Sequence, residues 1–247
     1  MRIAVAGGTG TAGRHMSEAA RAAGHDVVVI ARSRGVDLVA GHGVDAALDG
    51  VDVVVDLANV ATTREAVARP FFEATSRALL AAGARAGVGH HVLLSIVGLE
   101  RVPGFGYYRA KLAQEQVVRD GGVPWTILRA TQFHEFAEQV LARVPGPIAV
   151  APRMRVRPVA ASEVGEHLVA LATGPAQGMA PEMAGPREEQ MVDMVRRVLS
   201  AQGPRRLVVP LRFPGTGTAM QDGALLPDGD GPRGRITFEE WLAARGT

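Results

Sequence analysis

The first 130 residues of this 247-residue chain alternate short β-branched runs with longer Ala-rich stretches of helical spacing, a rhythm that leaves few folds open. Five apolar runs read as strands: Arg2–Ala6, Asp26–Ala31, Asp52–Leu57, His90–Ser95 and Pro124–Arg129. Each is nearly continuous in Val, Ile or Leu, as a strand covered on both faces of a parallel sheet must be. Between them the spacing predicts helices over Ala12–Ala23 with Gly24 as its cap, over Arg64–Ala82 with an interruption near Pro70, and over Gly106–Arg119, ending at Gly121 and Gly122. Right-handed crossovers then place helices on both faces of the sheet. The expectation is an α/β fold built on a doubly wound parallel sheet.

After Arg143 the regular alternation stops and Pro and Gly become frequent. We read residues 1–143 as the core and 144–247 as a smaller C-terminal lobe that caps the substrate, the two packed as one globular unit. The lobe is expected to hold helices over Ser162–Ala172, Arg187–Ala201 and Thr237–Ala244 and a long irregular Gly/Pro stretch, Phe213–Arg235, of the kind that serves as a lid.

Composition narrows the chemistry. With 47% apolar residues the chain fills a core, and no uninterrupted apolar stretch is long enough to span a bilayer. Met1 runs directly into strand-like residues without a secretory pattern, so a cytoplasmic protein is expected. There is no Cys, which removes thiolate catalysis, Cys-ligated zinc and iron–sulfur clusters. The 27 basic residues are nearly balanced by 25 acids, and no basic run is interleaved with aromatics, so nucleic acid is not an expected partner.

Residues 7–13 read Gly7-x-x-Gly10-x-x-Gly13 between the first strand and the first helix. Gly7 permits a tight turn, Gly10 lets backbone approach a pyrophosphate, and Gly13 allows close packing of helix on sheet. Thr9, Thr11 and Ala12 complete the loop, and the helix N-terminus offers unpaired N–H groups to phosphates. This is the dinucleotide pattern of a Rossmann fold, and with no lysine nearby nucleotide hydrolysis is disfavoured. The second strand ends Ala31-Arg32-Ser33-Arg34 without the acid that would hold a ribose 2′-hydroxyl. NADP is therefore favoured, with Arg32 and Ser33 at the 2′-phosphate, while Asp37 keeps NAD open.

Ser95 closes a strand, and twelve residues on comes Tyr107-Tyr108-Arg109-Ala110-Lys111. Tyr107 and Lys111 are four apart and share one helix face. Carbonyl reduction needs a proton donor at the oxygen that turns negative, and a phenol with an ordinary pKa near 10 is a poor one at neutral pH. An adjacent ammonium stabilises the phenolate and also reaches the nicotinamide ribose hydroxyls. Ser95 adds a hydrogen bond to the same substrate oxygen. Of the 27 basic residues 26 are Arg, so the only Lys stands four residues after one of only two Tyr. Tyr108 competes as the acid, but Tyr107 fits the spacing.

Gly7-x-x-Gly10-x-x-Gly13, Ser95 and Tyr107-x-x-x-Lys111 together resemble the short-chain dehydrogenase/reductase superfamily. The segments Leu94–Gly98, Pro124–Phe133 and Thr237–Leu242 are similar to its atypical, NmrA-like branch. The resemblance implies Ala58 and Asn59 beside the adenosine and ribose, and a loop of Ala130, Thr131, Gln132 and Phe133 over the nicotinamide. The proton-relay Asn of typical members is missing, whereas the Tyr that some NmrA-like sensors lose is kept.

His134 is expected to line the substrate pocket with Phe133 or to belong to the core. Position 138 is Glu, so the second His of a zinc-protease helix is absent, and no metal site is expected. His90 and His91 read as structural. The sequence thus points to an oxidoreductase moving hydride between NADPH and a carbonyl or alcohol of a small molecule, as monomer or homodimer. The alternatives are a non-enzymatic redox sensor and a sugar-nucleotide epimerase or dehydratase with tightly bound NAD.

Overall fold

The computed structural model describes residues 1–142, 146–202, 206–212 and 216–245. The expected boundary at residues 143 and 144 lies outside them. In chain order the elements are β1 (Arg2–Ala6), α1 (Thr11–Ala22), β2 (Asp26–Ile30), α2 (Val44–Leu48), β3 (Val53–Asp56), α3 (Glu65–Ala86), β4 (His90–Ile96), α4 (Gly106–Arg119) and β5 (Trp125–Ala130). There follow α5 (Phe136–Ala142), β6 (Ile148–Pro152), β7 (Arg155–Val156), α6 (Ala161–Thr173), β8 (Gly178–Met179), β9 (Glu189–Gln190), α7 (Met191–Gln202), β10 (Leu207–Leu211), α8 (Gly217–Gln221) and α9 (Phe238–Ala243).

Contacts divide the chain into two compact units. The first comprises Met1–Ile96, Phe105–Arg129 and Ser162–Pro181, the second Val97–Gly104, Ala130–Ala161 and Glu182–Thr247. Residues 162–181, which the sequence reading placed in the C-terminal lobe, are built into the first unit. Gly165 of α6 explains part of this, because a Cβ there would lie 2.8 Å from the Met16 amide nitrogen on α1. Only glycine lets the two helices approach so closely.

The first unit carries a six-stranded parallel sheet in the order β2-β1-β3-β4-β5-β8. Ile30, Leu48, Val54, Leu79, Leu93 and Ile127 fill one contiguous core on it. From β1 the chain steps to β2, then returns past β1 to β3, so the winding reverses between β1 and β3. Ligand crevices of open α/β sheets form outside the carboxyl ends of the strands at such a reversal.

Helix α3 differs from expectation, since it runs unbroken through Pro70 to Ala86 and stops at Gly87, φ +76°. Pro70 lies in the second turn, where its missing N–H forfeits one bond to the carbonyl four residues back. Burial of Phe72, Leu79 and Leu80 further along outweighs that loss. Between α4 and β5 the Glu115 carboxylate, almost fully buried, accepts from Arg129 Nε at 2.9 Å and Nη2 at 2.7 Å, and from Arg119 at 3.1 Å.

In the second unit β6 pairs in parallel with β10, and β7 pairs antiparallel with β9. That second pairing corrects the expected helix start at Arg187: Glu189 and Gln190 are tied to Val156 and Arg155, so α7 begins at Met191. The expected irregular stretch also needs correction within its described part, 216–235, because α8 occupies Gly217–Gln221. Beyond α8, Arg101 binds the carbonyls of Ala224 at 2.8 Å and Leu226 at 2.5 Å and pairs with Asp228. Helix α9 starts at Thr237 with a capping box, in which the Thr237 side chain accepts from Glu240 N and the Glu240 side chain accepts from Thr237 N. No helix among the described residues is long and apolar enough to cross a membrane.

Replacing Glu115 by Ala removes the buried carboxylate that accepts from both Nε and Nη2 of the largely buried Arg129 guanidinium. We expect a loss of about 3–5 kcal/mol of stability, read as a lowered midpoint in chemical denaturation.

Candidate active site

At the carboxyl end of β1 the glycines are set by backbone proximity. Gly7 has φ +71°, donates its N–H to Ile30 O at 3.0 Å, and would place a Cβ 2.5 Å from Leu57 O. A Cβ on Gly13 would lie 2.3 Å from Gly7 O. Gly10 is the N-cap of α1, with no side-chain cap and no acid in the first turn. The early N–H groups at Thr11, Ala12 and Gly13 therefore lack the carboxylate or hydroxyl that ordinarily occupies such a terminus. Thr9 is exposed, and its carbonyl accepts from Arg14 at 2.7 Å, which adds a cation beside this terminus. A cradle closed to side chains, cationic and with open donors, fits a dinucleotide pyrophosphate.

Beyond β2, Arg32 and Ser33 are carried on a 3₁₀ turn with no buried residue. Asp37 is engaged locally, its Oδ1 accepting from Val39 N at 2.9 Å and Ala40 N at 3.1 Å. Those backbone bonds, from Ala40 first and then Val39, hold its carboxyl below the usual range. At the end of β3, Ala58 N donates to Asp56 Oδ1 at 3.1 Å. Asn59 is exposed, and its Oδ1 accepts from Val60 N and from the Tyr107 hydroxyl, each at 2.8 Å.

Tyr107 and Lys111 occupy one face of α4. The Tyr107 ring packs edge-on to Phe72 of α3 at 5.6 Å, and the Lys111 ammonium lies 4.8 Å from the centroid of the same Phe72 ring. Lys111 is 5% exposed and donates to Leu94 O at 2.9 Å and to Gln114 Oε1 at 2.6 Å. Burial lowers its pKa to about 8, against the opposing pull of Asp56 and Glu115. Leu94 immediately precedes Ser95, so the ammonium is anchored beside the serine. The Ser95 hydroxyl is buried and has no hydrogen-bond partner within the described residues.

Tyr108 is set apart from Tyr107. It is buried edge-on to Phe105 at 4.8 Å, and burial raises its phenol above the ordinary value. His90 bonds Thr126 Oγ1 at 2.8 Å and is held below the usual imidazole range by burial, in keeping with a structural role.

In the second unit the residues after β5 are fixed by backbone ladders. Thr131 N donates to Met183 O at 3.0 Å, Thr131 Oγ1 to Arg157 O at 2.6 Å, and Val159 N to Gln132 O at 3.0 Å. Both polar atoms of the Gln132 carboxamide are buried without a partner among the described residues. Ala130 bridges Met183 and Phe133 bridges Val159. His134, expected at a pocket or in the core, is fully buried; its ring nitrogen Nε2 meets Ile236 O at 3.0 Å, and the ring packs on Phe238 and Trp241. Aromatic packing makes it a core side chain of the second unit.

Sequence reasoning missed Asp56, Ser76 and Gln114, all wholly buried and hydrogen-bonded to one another beneath Lys111. Only the polar identity of Asp56 inside an otherwise apolar strand could have marked one of them.

Comparison with known proteins bears on the family and fold. The model of the NAD(P)H-binding family matches residues 7–175. The (4-alkanoyl-5-oxo-2,5-dihydrofuran-3-yl)methyl phosphate reductase of Streptomyces griseus subsp. griseus is 33% identical over 246 residues, an alignment covering 91% of this chain and 80% of that protein. Triphenylmethane reductase of Citrobacter sp., solved with NADP(H), has the same fold with a TM-score of 0.74 at 16% identity, covering 100% of both chains. The UDP-glucose 4-epimerase of Thermus thermophilus, solved with NAD, gives 0.68 at 20% identity over 100% of this chain and 93% of its own. The chain belongs to the NAD(P)H-binding family, and it is an NAD(P)-dependent oxidoreductase.

Proposed function

We propose that this oxidoreductase prefers NADPH and reduces a small oxo compound, with Tyr107 as proton donor, Lys111 as the cation that tunes it, and Ser95 as second donor to the acceptor oxygen. One observation carries the reading: Tyr107 and Lys111 share the Phe72 ring on one face of α4 while Lys111 grips the carbonyl next to Ser95. Gly7, Thr9, Gly10, Thr11, Ala12 and Gly13 would hold the pyrophosphate, Arg32 and Ser33 the 2′-phosphate, and Ala58 and Asn59 the adenosine side. The bound cofactor supplies the hydride.

The chain's own groups address the oxygen that becomes negative. Tyr107 gives it a proton, and the buried Ser95 hydroxyl gains there the hydrogen bond that the described residues do not supply. Lys111 spends two of its three N–H bonds on Leu94 O and Gln114 Oε1, which leaves one for the phenolate that forms or for a ribose hydroxyl. Tyr107 must release Asn59 Oδ1 as the substrate oxygen takes its proton. The Streptomyces relative is named for a phosphate ester bearing an oxo-dihydrofuran ring and an alkanoyl carbonyl. A substrate of that class, small and rich in oxygen, suits donors aimed at an oxyanion. Arg32 and Ser33 follow β2 with no acid at its end, and Asp37 turns its Oδ1 to the backbone of Val39 and Ala40, which favours NADPH.

NADPH oxidation against ketones, aldehydes, quinones and unsaturated lactones tests the reading. Tyr107→Phe is expected to lower kcat about 10²- to 10⁴-fold while NADPH still binds by fluorescence titration. A sensor would bind the cofactor and turn nothing over, and an epimerase would show no net oxidation. Arg32→Ala is expected to weaken NADPH about tenfold and leave NADH unchanged, and equal loss for both would end the assignment of the 2′-phosphate site. Because Lys111 loses its proton near pH 8, kcat/KM for reduction is expected to hold below that pH and fall as pH rises through it.

A further inference from the structure

Lys111 is the upper end of a polar chain sealed inside the first unit. Its ammonium donates to Gln114 Oε1 at 2.6 Å. The Gln114 amide nitrogen donates to Ser76 Oγ of α3 at 3.0 Å and to Asp56 Oδ2 of β3 at 3.2 Å. Ser76 gives its own proton to Asp56 Oδ2 at 2.7 Å, and Ala58 N binds Asp56 Oδ1. Asp56, Ser76 and Gln114 are each 0% exposed.

The chain has one workable polarity. Ser76 has spent its proton on the carboxylate, so Ser76 Oγ and Asp56 Oδ2 offer only lone pairs to Gln114. The amide NH₂ must face them, and its oxygen must then face the ammonium. Turned over, the carboxamide would set oxygen against two acceptors and NH₂ against a cation. The locked amide dipole lies with its negative end on Lys111 and its positive end on Asp56, so it links the two charges without letting them meet. A direct ion pair would draw the ammonium down to β3, away from Tyr107. The other groups around this chain are accounted for. Glu115, on α4, is committed to Arg129; the face of Phe72, on α3, lies against the ammonium; Leu94 O, on β4, accepts from it; and His91, on β4, stands 4.0 Å from Asp56 Oδ2, with burial holding its imidazole below the usual range.

We propose that Gln114, oriented by Asp56 and Ser76, is a positioning residue that holds the Lys111 ammonium charged and directed at Tyr107. This deepens, and rests on, the reductase reading above.

The test uses the composition of the chain, since Lys111 is its only lysine. Protein grown on lysine enriched in ¹³C at Cε gives one side-chain signal, whose titration midpoint is the ammonium's own and needs no turnover. For the wild type it is expected at about 8. Gln114→Met removes the acceptor at nearly constant volume and is expected to lower the midpoint by about one pH unit, with the alkaline limb of kcat/KM moving in parallel. Asp56→Asn, close in shape, removes the charge at the far end and is expected to shift it the same way; it decides the matter if Gln114→Met does not fold. Lowered thermal stability with an unmoved midpoint overturns the proposal, because a purely structural amide would act so. A shifted midpoint in a wild-type background that reduces no oxo compound leaves the hold on the ammonium standing and removes the reductase reading instead.

Discussion

An ammonium taken out of water among apolar side chains is the constraint around which the first unit is arranged. Desolvation drives Lys111 toward its neutral form, and a neutral amine would give Tyr107 none of the electrostatic help proposed for it. Four elements answer with one contribution each. β4 presents the Leu94 carbonyl, α3 the face of Phe72, α4 the Gln114 amide, and β3 the Asp56 carboxylate behind it. No single contribution is large beside the cost of burying a charge, and those of β4, α3 and β3 are not available until sheet and helices have packed. The chemistry of the site is therefore a property of the assembled unit rather than of the Tyr-x-x-x-Lys motif.

The nucleotide end rests on a different constraint, the approach of backbone to backbone at the reversal of winding. Gly7 sits against Leu57 and Gly13 against Gly7, at distances no Cβ tolerates, so the β1 and β3 termini and the start of α1 close into one turn. The first amides of α1 are left without a side-chain cap. Such a terminus is open to an anion, and the absence of acids from its first turn keeps it electropositive. The turn that makes the fold possible thus also leaves the electropositive terminus on which the proposed phosphate site rests.

What the sequence revealed and what it hid divide along the range of the interactions. The strands were legible because burial on both faces writes continuous Val and Ile runs, and the glycines through their regular spacing between a strand and a helix, although Gly7 is itself constrained by the distant Leu57. The shared helix face of Tyr107 and Lys111 was legible through a separation of one helical turn. Gln114 meets Ser76 and Asp56 across 38 and 58 residues, and nothing local distinguishes that Gln from a solvated one. Pro70 read as a break because propensity is local, while the burial that carries α3 past it is not. Glu189 and Gln190 read as helix until pairing with Arg155 and Val156 claimed them. His134 was ambiguous because a polar ring walled by aromatics looks the same in sequence whether it faces substrate or core; packing on Phe238 and Trp241 resolved it.

The single lysine of an arginine-rich chain follows from the same electrostatics. A guanidinium stays charged at any accessible pH and presents five donors in a rigid plane. Placed at the Lys111 position it would need acceptors for every donor within a space that supplies Leu94 O and Gln114 Oε1. An ammonium needs three, finds two in the protein, and keeps one to offer. Its pKa also responds to its surroundings, so burial brings it close to working pH, where small changes in the charge of a neighbouring phenol are felt. Elsewhere, as at Glu115 and Arg129, a planar bidentate partner is the better choice, and there the chain uses arginine.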